Sequence, residues 1–251
     1  KKIVFSGVGK TDEEIRFALK NEVFSLNVES LPELTRVNMV AKSLNVRAPV
    51  SIRINPDVNP DTHPYIATGL RENKFGLSME DGMNAYKTAQ SLPFIDIKGI
   101  DCHIGSQILS LGPFEQATEK LLSFIDQLMK QTGVILSHIN LGGGLGISYS
   151  DNEHPPSLEN FINLTSDVVI NWYDKKGLNP PHLIFELGRS IVGNSGILVA
   201  KVLYLKTKMD NIGKNFAVVD AAMNDLIRPT LYNAYHEIVP VKSNKKNYNN
   251  I

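Results

Sequence analysis

Short apolar runs alternate with stretches of helical periodicity from Ile3 to Arg189, and this alternation restricts the chain to βα units around a parallel sheet. The strand candidates are Ile3–Ser6, Phe24–Val28, Val50–Ile54, Gly99–His103, His138–Leu141 and Leu183–Glu186. Between them lie helices with legible ends. Thr11-Asp12-Glu13-Glu14 and Ser30-Leu31-Pro32-Glu33 both carry the capping-box pattern, and proline suits a first helical turn. Phe114, Ala117, Leu121, Ile125 and Leu128 recur at helical spacing with Gly133 just beyond; Phe161, Leu164, Val168 and Trp172 do the same ahead of Gly177. These stripes read as faces packed on the sheet. Six strands exceed what a small sheet needs and fall two short of the eight of a closed barrel, with a doubly wound open sheet as the alternative. After Arg189 the texture changes. Gly196–Thr207 and Asn215–Asp220 are β-rich with no long helix between them, so residues 1–194 are expected to form the βα body and 195–251 the beginning of a β domain.

Composition narrows the partners. Lys+Arg 26 balances Asp+Glu 26, so no net field draws the chain to nucleic acid or to an anionic membrane. No apolar run reaches the roughly 18 residues of a membrane helix. A single cysteine, Cys102, excludes an internal disulfide and fits a reducing, cytoplasmic compartment. The opening KKIVFSGVGK lacks the apolar core of a signal peptide and starts without Met, and the tail SNKKNYNNI is polar and aperiodic. Both ends are those expected of a fragment.

Three motifs carry chemistry. Asn140-Leu141-Gly142-Gly143-Gly144-Leu145-Gly146 follows a strand, and consecutive glycines let backbone N–H groups converge on an anion. A glycine triplet alone is equally at home in an ordinary loop. One βα unit later, Glu186-Leu187-Gly188-Arg189 also follows a strand. Barrels commonly hold phosphate between the loops after their seventh and eighth strands, and two strands missing in front would make these loops that pair. Asp101-Cys102-His103-Ile104-Gly105-Ser106-Gln107 again sits at a strand's C-terminal end, where His103 and Ser106 offer a flat ring and a hydroxyl. His63, His138, His154, His182 and His236 have no metal-ligand spacing to another His or Cys and read as hydrogen-bonded structural residues. No G-x-S-x-G elbow suggests a serine triad.

Together these segments resemble the barrel-type, pyridoxal-phosphate-dependent decarboxylases of basic amino acids, most of all their diaminopimelate decarboxylase branch. The resemblance runs from Ser6-Gly7-Val8-Gly9-Lys10-Thr11 to His236-Glu237. It is carried by Asn27-Val28-Glu29-Ser30, Arg53-Ile54-Asn55-Pro56-Asp57-Val58, Thr62-His63-Pro64-Tyr65-Ile66, Asn73-Lys74-Phe75-Gly76, the His103 and glycine motifs, and Asp220-Ala221-Ala222-Met223-Asn224-Asp225-Leu226-Ile227-Arg228-Pro229. It implies a (β/α)8 TIM-type barrel of the alanine-racemase-like kind, truncated at its N-terminus and followed by the start of a β domain. It further implies pyridoxal 5'-phosphate as cofactor and decarboxylation of meso-diaminopimelate to lysine. Gly142, Gly143, Gly144, Gly188 and Ser106 would hold the phosphate, with Gly144 foremost, and His103 would stack on the ring. Glu186 would face the pyridine nitrogen, where a carboxylate favours the protonated, electron-withdrawing ring. Arg189, Arg228 and Tyr232 would take substrate carboxylates, Arg189 lying also beside the cofactor. A homodimer with the active site at its interface is implied as well.

Two departures qualify the resemblance. Leu187 stands where the family usually has proline, with Glu186, Gly188 and Arg189 retained around it. The Schiff-base lysine of a Tyr-x-x-Lys-type motif is absent, Lys74 and Lys98 lie in other contexts, and the C-terminal Cys-Glu-Ser-type segment is also missing. The chain alone is therefore expected to be inactive. Arginine, ornithine and carboxynorspermidine remain alternative substrates, and a non-catalytic homologue that binds a partner is the alternative class. Retention of Glu186, Arg189 and Arg228 weighs against the latter.

Overall fold

Strands that alternate with helices must bury one face against those helices, and here the apolar positions of each strand do so. The computed structural model describes residues 2–59, 74–207 and 214–242. Six strands form one sheet: β1 (Val4–Phe5), β2 (Ser25–Val28), β3 (Ala48–Arg53), β4 (Ile95–Asp101), β5 (His138–Asn140) and β6 (His182–Ile184). All neighbours pair in parallel, in the order β1-β2-β3-β4-β5-β6. A doubly wound sheet reverses its strand order at a switch point. This one never does, so the winding is that of a barrel and the open-sheet alternative falls.

The helices between the strands are α1 (Asp12–Lys20), α2 (Leu31–Leu44), α3 (Met79–Ser91), α4 (Gly112–Thr132) and α5 (Leu158–Lys175). Thr11 and Glu14 close the complete capping box that the sequence announces. At Ser30 only half of it forms. The serine accepts from the Glu33 N–H, while the Glu33 carboxylate turns to the Glu29 N–H and Lys10 instead. Gly133 ends α4 in the left-handed region, as its position past the apolar stripe requires. Helix α3, which the sequence reading did not single out, is capped by Ser78 and buries Met83, Ala85, Tyr86 and Ala89. One core layer joins Ile15, Leu34 and Val37 of the helices to Leu26, Val28 and Val50. A second joins Tyr86, Leu121, Phe124 and Phe161 to Ile52, Ile100 and Ile139.

The other face of the strands is polar and also buried. Ser25, Asn27, Ser51, Arg53, Asp101, His138 and Asn140 are all at most 7% exposed, which requires the sheet to curl around them. Contacts across strands that are not neighbours show the curl. His138 Nε2 lies 2.6 Å from Ser51 Oγ, bridging β5 and β3, and Ser51 Oγ lies 2.8 Å from Ser25 Oγ on β2. Gly99 of β4 makes this possible, because a Cβ there would collide with the His138 ring. Phe24, just before β2, meets the His138 ring at 5.0 Å. At the far ends of the outer strands, Ser6 Oγ approaches Glu186 Oε1 to 3.4 Å.

Two compact units divide the chain. The first comprises residues 1–147 and 155–191, the second 148–154 and 192–251. The second contains the antiparallel pair β7 (Val202–Lys206) and β8 (Phe216–Val219), and α7 (Arg228–Tyr232); the short α6 (Gly188–Val192) spans the division. Among the described residues no helix is long and apolar enough to cross a membrane, and no cluster of His, Cys, Asp or Glu is arranged for a metal.

Burial, then the neighbouring His182 and Lys98, push the His138 imidazole down from 6.5 to about 4. A folded-state value below the ordinary one means that stability is intact above pH 6.5 and is lost as pH falls toward 4. In urea titrations of the full-length protein, His138→Gln should therefore lose less stability over that interval than the natural sequence. Parallel losses would show that another group controls it.

Candidate active site

The C-terminal ends of β4, β5 and β6 carry three loops that interlock through their backbones. After β5, Gly142 and Gly144 adopt φ of +68° and +103°, conformations that side chains disfavour. Space forbids substitution as well. A Cβ on Gly142 would strike the Cys102 carbonyl, one on Gly143 the Glu186 carbonyl, and one on Gly144 the Gly105 carbonyl. The glycines thus bring the loop after β5 against both of its neighbours. Glu186 N–H donates to the Gly142 carbonyl (2.7 Å), and Gly188 N–H to the Glu186 carbonyl (2.9 Å) where α6 begins.

Asn140, the last residue of β5, links this loop to the carboxylate. Its Nδ2 donates to Glu186 Oε1 at 2.9 Å while its Oδ1 accepts the Gly142 N–H, also at 2.9 Å. The Gly143 N–H donates to His103 Nδ1 at 3.1 Å. A ring nitrogen that accepts carries no proton, so His103 is neutral with its hydrogen on Nε2. Burial and the Arg53 charge push its pKa down, consistent with that state. Ser106 Oγ accepts from Arg189 Nη2 (3.0 Å) and Nε (3.3 Å), which orients both side chains. His103, Ser106, Gly142–Gly144, Glu186, Gly188 and Arg189 therefore belong to one loop cluster of the first unit. Arg228 and Tyr232 lie in the second, at the two ends of α7. The 62–66 segment and Asn73 lie outside the described residues.

Beneath the loops is a buried charge cluster to which the sequence reading assigned no role. Arg53 Nη1 pairs with Glu29 (3.3 Å), and its Nε lies 3.7 Å from Asp101; the Phe75 ring covers the guanidinium at 5.1 Å. Glu29 also accepts the N–H groups of Gly7 (3.1 Å) and Gly76 (3.2 Å). Lys10 Nζ binds Glu33 (2.7 Å) and the carbonyls of Gly7 and Asn27 (2.6 Å each). Two cations thus face four carboxylates: Glu29, Glu33, Asp101 and Glu186. The excess falls on Asp101, whose pKa burial and then Glu186 push well above the usual carboxylate range, against the opposing pull of Arg53. Burial, then Asp101, pushes the Cys102 thiol up to about 12, so Cys102 is an inert protonated thiol. The available sequence signal was the polar residue at every second strand position, a pattern ordinarily read as a solvent-facing side.

A loop cluster with a backbone cradle, a flat neutral imidazole and a fixed carboxylate, set at the strand ends of a barrel-type sheet, is a place for a planar phosphorylated cofactor. The model of the family described as pyridoxal-dependent decarboxylase, pyridoxal binding domain, matches residues 1–193. The chain belongs to that family. Diaminopimelate decarboxylase of Vibrio cholerae serotype O1 is 50% identical over 96% of this chain, and that of Aquifex aeolicus 44% identical over 98%. The crystal structure of Helicobacter pylori diaminopimelate decarboxylase complexed with L-lysine superimposes with a TM-score of 0.87 at 40% identity, covering 97% of this chain and 58% of that one. The chain spans about half the length of the curated relatives it matches, 55% and 56% for the two named.

An acid whose folded-state pKa is raised contributes fully below its ordinary pKa, and stability is lost as pH rises through the folded value. Asp101→Asn should thus leave the full-length protein at least as stable as the natural sequence at pH 8. It should also remove a pH dependence of up to roughly 1.4 kcal/mol per pH unit above the ordinary carboxylate range. Chemical denaturation at several pH values measures both. A large loss of stability at pH 8 would mean that the ionised Asp101–Arg53 pair dominates.

Proposed function

We propose that this chain is the pyridoxal-phosphate-binding part of a diaminopimelate decarboxylase, which removes CO₂ from meso-diaminopimelate to give lysine. The observation that carries the reading is the Asn140 bridge. It holds a carboxylate and a glycine cradle at the ends of adjacent strands, one suited to a ring nitrogen and the other to a phosphate. The decarboxylase relatives, among them a solved structure holding L-lysine, support the same substrate.

The residues fit the cofactor. Gly142, Gly143 and Gly188 direct their N–H groups to Asn140, His103 and the Glu186 carbonyl, so they would shape the phosphate cradle, while Gly144 and Ser106 would contact the anion. His103, neutral and held by the Gly143 N–H, would stack on the ring. Glu186, whose carboxylate accepts from the Asn140 amide, would face the pyridine nitrogen, where a carboxylate favours the protonated ring. When bound, pyridoxal phosphate supplies the electron sink that takes up the pair left on the substrate Cα as CO₂ departs. Arg189 would contact the cofactor and a substrate carboxylate, and Arg228 and Tyr232 would bind substrate carboxylate. The resemblance also supports a cytoplasmic homodimer with its site at the subunit interface, and a division of this chain into a barrel part (1–194) and a β part (195–251).

The chain by itself is proposed to be inactive. Lys10, its buried lysine at the strand ends, gives its three protons to Gly7, Asn27 and Glu33 and is not free to bond a carbonyl.

The test is CO₂ release by the full-length protein with pyridoxal phosphate. Release from meso-diaminopimelate should exceed that from arginine, ornithine or carboxynorspermidine by about a hundredfold or more in kcat/KM, as expected where buried donors read a second carboxylate. Preference for one of the others would overturn the substrate, and failure with all four the enzymatic reading. Gly143→Ala should abolish cofactor binding, seen as loss of the visible absorbance of the bound cofactor. Residues 1–251 alone should release no CO₂.

A further inference from the structure

We infer that Tyr149 and His236 are positioning residues for Arg228, presenting its guanidinium as a preset carboxylate receptor that governs which substrates are accepted. The inference rests on the reading of Arg228 as a substrate ligand and goes beyond it by naming what holds the residue.

Three side chains of the second unit contact one another. Arg228 Nη1 lies 3.0 Å from His236 Nε2, and its Cζ lies 4.6 Å from the centre of the Tyr149 ring. The rings of Tyr149 and His236 meet edge to face at 5.5 Å and 74°. The backbone holds this arrangement from both sides. Tyr149 N–H donates to Glu153 Oε2 at 2.6 Å, and Ser148 Oγ to the Ser150 carbonyl at 2.6 Å, bracing the segment that carries the ring. After α7, Asn233 takes a left-handed φ of 50°, and the Ala234 N–H points back to the Arg228 carbonyl at 3.4 Å. That turn returns His236 to Arg228.

The chemistry of these partners identifies the purpose. Arginine in a structural role is ordinarily matched with a carboxylate. Among the described residues none forms an ion pair with Arg228, whose partners here are an aromatic face and an imidazole. The Nε2 atom facing an arginine donor must accept, so His236 is neutral there; burial and then the Arg228 charge lower its pKa accordingly. Neutral partners remove rotamer freedom from the guanidinium without cancelling its charge. The full charge and a planar fork of donors are left for a carboxylate, with part of the ordering already done before substrate arrives. Tyr149 also lies only five residues beyond Gly144 along the chain, so one continuous segment supplies both the glycine cradle and the ring under Arg228.

The test uses the full-length protein carrying Tyr149→Leu, Tyr149→Phe or His236→Gln. With meso-diaminopimelate, Tyr149→Leu and His236→Gln should each raise KM by about tenfold with kcat nearly unchanged, the mark of lost ground-state positioning. Tyr149→Phe, which keeps the ring face, should restore the natural KM. The absorbance of the bound cofactor should be the same in all of them. Unchanged KM in both disruptive variants overturns the inference, as does a fall in kcat and cofactor occupancy together, which marks a merely structural role. Calorimetric binding of L-lysine separates this from the proposed reaction because it needs no turnover. Weaker binding in the two disruptive variants, with Tyr149→Phe as natural, upholds the positioning role even if no CO₂ is released. Equal binding in all, or none by the natural protein, overturns it.

Discussion

The approach of the Gly143 backbone to the Glu186 carbonyl is the contact from which the rest of the loop cluster follows. Any side chain at position 143 would occupy the place of that carbonyl, so the loops after β5 and β6 can interlock only through glycine. Once they do, Glu186 N–H reaches the Gly142 carbonyl and Asn140 reaches both the Glu186 carboxylate and the Gly142 N–H. The cradle and the carboxylate are then tied together through Asn140. A site that must hold both ends of a rigid cofactor at fixed separation benefits from this, because no loop adjustment is needed when the ligand arrives.

A polar barrel interior is the companion constraint. Burying Arg53 and His138 is unfavourable without partners, and each finds one on or beyond another strand, although Arg53 Nε and His138 Nδ1 make no hydrogen bond among the described residues. Arg53 of β3 needs Glu29 beyond β2, and His138 of β5 needs Ser51 of β3. Such pairings act at the positions where an all-apolar barrel would be packed with Val and Ile, and they hold the register of strands that are short. Buried ion pairs contribute little net stability. Their effect here is electrostatic: burial and then the nearby Glu186 hold Asp101 well above the usual carboxylate range, so Asp101 takes up the proton.

Much of this was legible in the sequence, for physical reasons that differ by element. All six strands were found because their outward residues form apolar runs, and α1 and α4 because Thr11 and Gly133 mark ends that only certain residues can make. The order of the sheet was not legible, since alternation is shared by open and closed windings. Helix α3 was missed because its sequence is polar and its stripe rests on Met83, Ala85, Tyr86 and Ala89, two of them alanines. His103, Glu186 and the glycines were found by motif. Asn140 stood inside the same motif without a role, because its two bonds join residues 46 apart in one direction and two in the other. Arg53, Glu29 and Asp101 were hidden by their own alternation, which looks like a solvated face until the sheet curls.

Position along the chain separates two tasks that the side chains keep distinct. The residues suited to the cofactor belong to loops braced by the first unit's strands, where a one-atom change at Gly143 or Gly144 collides with backbone. Arg228 belongs to the second unit, on a five-residue helix, and its neighbours Tyr149 and His236 reach it through half-buried side chains rather than through backbone. Substitution is therefore limited by backbone contact at Gly143 and Gly144, and by side-chain contact around the guanidinium. On the proposed assignment, substrate preference would change through the neighbours of Arg228 while the surroundings of Glu186 stay as they are.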